Sequence, residues 1–239
     1  QEAGYWPYGY NSFYVDATSF LKPGQMNELA VRLENYTESS RWYPGAGLYR
    51  NVHLVVTEDA YVPTWGTKVT TPVVKDKFAK VHLETQWNMP KGKKISDYTI
   101  ATQILNPEGK QVNADTRPGN ELDETLFVQE FVVRNPKLWS VEYPHLYTAV
   151  SKIYEGDRLV DEYTTRFGIR TLEIIPKKGF FLNGKLTKFK GVCNHHDLGP
   201  LGAAVNDAAI RRQIRIMKEM GANAIRTSHN MPAPELVAA

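Results

Sequence analysis

The sequence predicts a multidomain, mainly β chain that ends in an α/β unit. Three observations carry this. Segments such as "NSFYVDAT", "NELAVRLEN" and "RNVHLVVTE" alternate apolar and polar residues and are rich in β-branched and aromatic types. They are short and recur regularly between Gly- and Pro-containing turns such as "LKPGQ" and "YPGAG", which is the spacing of antiparallel sandwiches. After residue 172 the period changes, and a helical pattern lies between two short apolar runs.

Taken in order, residues 1–58 carry the first three strand patterns. A change near Ala60-Tyr-Val-Pro63 opens a second set: "KFAKVHLETQWN", "SDYTIATQILNPEGK", "LFVQEFVVRNP" and "HLYTAVSKIYEGDRLVDEYTTRFGIR". Turn signals fall at Asn106-Pro-Glu-Gly109 and Glu155-Gly-Asp157. This second set has about the roughly 100 residues of an immunoglobulin-like sandwich, in general architecture only, because the cysteine pair of antibody domains is missing. "GFFLNGK" then reads as a hairpin closed by Asn-Gly, and "TKFKGVCN" as a short strand. In "NDAAIRRQIRIMKEMG", Asn206 or Asp207 caps a helix and Gly221 ends it. Ile210, Ile214, Met217 and Met220 share one face, and Arg211, Arg212, Arg215, Lys218 and Glu219 occupy the rest. "ANAIRT" follows as a second strand, which makes a βαβ unit with parallel strands.

Composition narrows the function classes. The chain has 239 residues, 42% hydrophobic and 23% charged, the make-up of a soluble globular protein. Its net charge of +3 comes from scattered basic residues, so no nucleic-acid stripe exists. No apolar run approaches the roughly 18–20 residues of a membrane helix. The single cysteine, Cys193, cannot form an internal disulfide; it lies in a run that reads as a buried strand and is expected to be an inert packing residue. The opening "QEAGYWPYGYNSFYVD" reads as the middle of a domain and "PELVAA" as the first turn of an uncapped helix, so both ends are expected to be internal to a longer protein.

The chemistry gathers in the βαβ unit. Parallel strands end at one face, where ligands of α/β sheets and barrels bind. His195, His196 and Asp197 follow the first strand; Arg226, Ser228, His229 and Asn230 lie at the end of the second. His195, His196, Asp197 and His229 are ligand types suited to zinc, but adjacent residues of an extended chain point opposite ways, so no metal site is expected. Ser228 beside His229 lacks a Gly-x-Ser-x-Gly elbow and reads as structural. "GPLGAA" has no phosphate-binding signature. Forked donors and acceptors with aromatic faces suit sugars, and the N-terminal region supplies Tyr5, Trp6, Tyr8, Tyr10, Trp42 and Tyr43, most of them expected to serve packing.

The order of five motifs resembles the family 2 glycoside hydrolases, the β-galactosidase and β-glucuronidase group, over essentially the whole chain. They are "PYGYNSFYVDATSFLKPGQMNELAVRLEN", "SSRWYPGAGLYRNVHL", "NPKLWSVEYPHLYTA", "FGIRTLEIIPKKGFFLNGKLTKFKGVCNHHDLGPLGAAVN" and "MKEMGANAIRTSHNMPAPEL", with "HHDLGPLGAA" closest to β-galactosidase-like members. The resemblance implies three parts: the end of a jelly-roll sugar-binding domain in 1–58, the immunoglobulin-like sandwich in 59–171, and the start of a (β/α)8 catalytic barrel in 172–239. It implies a retaining hydrolase of terminal β-linked sugars, with β-galactosides foremost. Two glutamates about 5–5.5 Å apart do the chemistry, and the resemblance places both beyond residue 239, so this chain is expected to be inactive alone.

The roles that carry over are supporting ones. His195 and His229 line the sugar subsite, Arg226 orients the nucleophile, and Asp197 and Asn230 sit beside them. Arg41 falls near where some members place an acidic sugar contact, and Asn194 stands where better-known members have a basic residue. The resemblance implies a carbohydrate substrate, no cofactor or metal, no nucleic-acid or membrane partner, room for a homo-oligomer, and a periplasmic or secreted bacterial setting. A β-glucuronidase or another β-glycosidase of the family is the alternative; a non-catalytic carbohydrate-binding module is the alternative of another class.

Overall fold

The computed structural model describes all residues except 39–45, 124 and 196. Arg41 and His196 therefore lie outside the described residues. Two compact units emerge, one of residues 54–188 and one joining residues 1–53 to 189–239.

In the first unit, β1 (Thr67–Lys75), β2 (Phe78–Gln86) and β5 (Leu126–Arg134) form one antiparallel sheet in the order β1-β2-β5. β3 (Tyr98–Leu105), β4 (Gln111–Pro118), β6 (Tyr147–Glu155) and β7 (Arg158–Phe167) form the other, in the order β4-β3-β6-β7. The alternating residues of these strands are buried as their period of two requires. Ala79, Val81, Leu83 and Thr85 of β2, Phe127, Gln129, Phe131 and Val133 of β5, Tyr98, Ile100, Thr102 and Ile104 of β3, and Tyr147, Ala149, Ser151 and Ile153 of β6 are all buried. Both expected turns are present: Asn106 Oδ1 accepts from the N–H groups of Glu108 and Lys110, and Glu155 pairs with Arg158 across a two-residue loop.

The core has two apolar clusters with a polar belt between them. One cluster contains Leu83, Ile104, Phe131, Tyr147 and Phe167; the other contains Trp87, Tyr98, Ile100, Phe127 and Ile153. Where the strands pass from one to the other they place Thr85, Thr102, Gln129 and Ser151 inside. Thr102 Oγ1 donates to Gln129 Oε1 at 2.7 Å and lies 3.0 Å from Ser151 Oγ. Gln129 Nε2 donates to Asp115 Oδ2 at 3.2 Å, and Arg117 Nε reaches the same oxygen at 2.8 Å. Buried polar groups paired in this way cost little. Thr85 Oγ1 is the exception within the belt, with no partner among the described residues.

The same unit ends in the small sheet β10-β9-β8, formed by β8 (Leu172–Ile175), β9 (Gly179–Leu182) and β10 (Lys185–Leu186). Its β9–β10 turn is Asn183-Gly184, both at positive φ (51° and 74°), as the dipeptide predicts.

The second unit holds the βαβ element. β11 (Gly191–Asn194) and β12 (Ala224–Thr227) pair in parallel, flanking α1 (Asp207–Glu219), and α2 (Pro234–Ala238) follows. Gly191 is required by its neighbour, since a Cβ there would stand 2.3 Å from the Ala224 carbonyl oxygen. Asn206 Oδ1 caps α1 by accepting from Ala209 N at 3.0 Å. Ile210 is buried, Ile214 and Met217 are half-buried and Met220 is 64% exposed, so the cover on the predicted apolar face thins toward the C-terminal end of the helix.

Two expectations need correction. Cys193 is exposed, not buried: among the described residues its thiol meets the Arg226 guanidinium rather than an apolar layer. Among the described residues of 1–58, the three expected strands are not formed, and a 3-10 turn at Thr18–Phe20 is the single helical or strand element. Alternation states how a segment would lie beside a neighbour; the ladder itself needs a partner strand, and the described residues supply none there.

Candidate functional site

β11 and β12 run in parallel with Cys193 opposite Arg226 and Asn194 opposite Thr227. Their carboxyl ends therefore deliver the following residues to one side. Ser228 N donates to the Asn194 carbonyl oxygen at 3.0 Å, which extends the pairing by one residue. The Ser228–His229 peptide bond is cis.

Arg226 is at the centre of the resulting cluster. Its Nη2 lies 3.1 Å from His229 Nδ1, and its Nη1 lies 3.3 Å from Ser228 Oγ and 3.5 Å from Cys193 Sγ. A guanidinium only donates, so His229 Nδ1 is the acceptor and its proton sits on Nε2. His229 meets His195 edge-on, with ring centroids 5.9 Å apart. All three partners of Arg226 are neutral acceptors, and no carboxylate among the described residues forms an ion pair with it. The guanidinium is thus oriented while its charge stays available. Hydrogen bonds from Arg226 and Ser228 hold the Cys193 thiol below its ordinary pKa.

The N-terminal segment adds Tyr8, named from sequence only among aromatics mostly expected to serve packing, and Arg50 and Asn51, which sequence reasoning did not single out. Tyr8 Oη donates to Asn230 Oδ1 at 2.7 Å. Arg50 donates to Ser12 Oγ at 3.1 Å and to the Met231 carbonyl oxygen, and Asn51 Nδ2 donates to Glu235 Oε1 at 2.8 Å. A cavity of about 190 Å³ lies among Arg50, Asn51, Asn194, His195, Asn206 and Asn230. Arg226 and His229 do not line it. Asn194 and Thr227 line it, and successive strand residues point to opposite faces, so Arg226 projects from the other face of the ribbon, while its partner Ser228 and the neighbouring His195 border the cavity.

The predicted residues therefore divide. His195, Arg226 and His229 form one contiguous set, with His195 also reaching the cavity. Asn230 borders the cavity and is held by Tyr8. Asp197 is half-buried and forms no hydrogen bond or ion pair among the described residues. Ser228, read from sequence as structural, is 2% exposed and helps hold Arg226. Register would have identified Cys193, which falls opposite Arg226 once the strands are paired. Tyr8 was named only as one of several aromatics, most of them expected to serve packing, and Arg50 gave no local signal.

An antiparallel sandwich followed by a parallel β/α element, with imidazoles and a guanidinium at its strand ends, defines a modular protein whose polar rim is built by two strand termini. Comparison with known proteins is specific. Residues 61–170 match the model of glycosyl hydrolases family 2, and residues 174–238 match the family 2 TIM barrel domain. A β-galactosidase, BoGH2A, of Bacteroides ovatus is 47% identical over 97% of this chain and 27% of its own length. A protein named putative β-glucuronidase from Formosa agariphila is 36% identical over 95% of this chain and 21% of its own. The crystal structure of a family 2 member from Bacteroides cellulosilyticus superposes with a TM-score of 0.88 at 36% identity, over 97% of this chain and 32% of that one. The chain belongs to glycosyl hydrolase family 2, and it spans about a quarter of the length of these relatives.

Proposed function

We propose that this chain is part of a retaining β-glycosidase that hydrolyses terminal β-galactosides. Residues 1–58 would close a jelly-roll domain, 59–171 form the immunoglobulin-like sandwich and 172–239 open the catalytic barrel. The observation that carries the reading is Arg226, held at a strand end by three neutral acceptors with its charge left for a carboxylate. In this role it orients the nucleophilic glutamate and keeps it ionised. His195 and His229 contact the sugar, and Asn230, fixed by Tyr8, bounds the subsite. The two glutamates, acid/base and nucleophile, belong to later barrel strands. The galactoside preference is supported by the identity of 47% to BoGH2A; the names of other relatives favour glucuronides as the second reading.

The test exchanges this chain for the matching segment of the Bacteroides ovatus enzyme. The chimera is expected to hydrolyse nitrophenyl β-galactoside in preference to the β-glucuronide, and Arg226→Ala to lower kcat by about a hundredfold or more. A folded chimera without turnover, or one preferring the glucuronide, would overturn the reading. The 239-residue chain by itself is expected to turn over neither substrate.

A further inference from the structure

The sandwich has a second concave site, distant in sequence from the β11–β12 rim. It is an open cleft of about 370 Å³, bordered by the β3–β4 turn and by the start of β6 and the end of β7. That volume falls within the roughly 300–1,000 Å³ of small-molecule sites. Asn106, His145, Thr148 and Arg166 line it.

These four side chains form an unbalanced set. Arg166 is exposed and makes no hydrogen bond or ion pair among the described residues. Thr148 pairs with it across β6 and β7, which puts both on the outer face. Neither ring nitrogen of His145 has a hydrogen-bond partner among the described residues. Asn106 uses its Oδ1 to accept from Glu108 N and Lys110 N, so its amide N–H groups remain. The nearby carboxylate, Glu108, is taken by Lys137. Donors therefore outnumber acceptors, and one donor is a permanent cation. Tyr143 is not among the lining residues but directly precedes Pro144, which is; it is 68% exposed and lies nearly parallel to the His145 ring, 13° off, at 6.2 Å between centroids.

We infer that this cleft binds an acidic sugar residue, a pyranose bearing a carboxylate. The carboxylate sits on Arg166, with His145 and Asn106 donating to its oxygens or to ring hydroxyls, because fork-shaped guanidinium donors match carboxylates. The apolar ring face rests against Tyr143. The anionic group is argued from the cleft alone; the sugar that carries it rests on the glycosidase reading above.

The test is titration of the full 239-residue chain with sodium D-glucuronate, D-galactose and sodium acetate, followed by calorimetry or NMR. Glucuronate is expected to bind saturably, with galactose and acetate each clearly weaker. Arg166→Ala should weaken glucuronate by about tenfold or more, Arg166→Lys by less, and Arg226→Ala not at all. Far-UV and near-UV circular dichroism confirm that each variant is folded. Equal binding of galactose and glucuronate, or of acetate and glucuronate, overturns the acidic-sugar assignment. Indifference to Arg166→Ala, or loss with Arg226→Ala, overturns the location. A chimera inactive on β-galactosides refutes only the glycosidase reading, since the glucuronate titration does not involve turnover.

Discussion

Two threonines of the sandwich core permit one substitution to have opposite effects. Thr85 and Thr102 are both fully buried, at 0% exposure, in the belt between the apolar clusters. Thr102 Oγ1 donates to Gln129 Oε1 and lies within hydrogen-bond distance of Ser151 Oγ, while Thr85 Oγ1 has no partner among the described residues. Valine keeps the shape and removes the hydroxyl. At position 102 it strands Gln129 Oε1 and weakens the hold on Ser151, both inside a dry core. A stranded buried group costs about 1–3 kcal/mol, so Thr102→Val should lose about 2–3 kcal/mol. At position 85 it removes a desolvated hydroxyl that gains nothing, so Thr85→Val should gain about 1 kcal/mol. With a urea m-value of about 1–3 kcal/mol/M, the midpoint should fall by about 1 M for Thr102→Val and rise by about 0.5 M for Thr85→Val. Urea unfolding followed by tryptophan fluorescence measures this, with the buried Trp87 among the reporters. If Thr85→Val destabilises as much as Thr102→Val, the Thr85 hydroxyl is hydrogen-bonded in solution and the contrast between the two threonines is refuted.

Three further outcomes are expected. Gly168→Ala would place a Cβ 2.9 Å from Trp139 Cβ, beneath a ring already covered by Arg170 at 5.0 Å, and should cost about 1–3 kcal/mol in the same urea assay. Hydrogen bonds and charge from Lys93 and then Arg158 hold the Glu155 carboxyl down at about 2 against an ordinary 4.5. Its stabilisation is thus complete above the ordinary value and is lost as pH falls toward about 2; Glu155→Gln should flatten this acid limb of the urea midpoint, and an unchanged limb would contradict it. Arg226→Ala should return the Cys193 thiol upward toward its ordinary pKa and slow its alkylation by iodoacetamide near neutral pH; unaltered rates would show that the Arg226–Cys193 contact does not operate in solution.

Much of the fold was legible because its signals are local. Alternation in "KFAKVHLET" and "LFVQEFVVR" places the inward residues of β2 and β5, and Asn183-Gly184 dictates its own hairpin. The cap at Asn206 follows from a side chain three residues from the N–H it satisfies. The site was legible in part. His195, Arg226 and His229 were expected at one rim because parallel strands end together, and the structure brings them into one contact set. Asp197 was named with them yet stays outside the hydrogen-bonded set, since proximity in sequence does not fix direction in a loop. Cys193 was misread because an apolar run resembles a buried strand whether or not a layer covers both of its faces.

By itself the sequence determined the kind and order of most elements between residues 60 and 227, though not β1 and β4, together with their turns and caps and the delivery of imidazole and guanidinium to one rim. These depend on backbone preferences and side-chain periods that act over a few residues. Only the tertiary structure decided that Arg226 is tied by neutral partners, that its side chain does not line the cavity that Ser228 and His195 border, and that Tyr8 reaches Asn230 across 222 positions. A one-residue change of strand register exchanges the two faces, and contacts between distant residues depend on how the chain closes, which no local preference encodes.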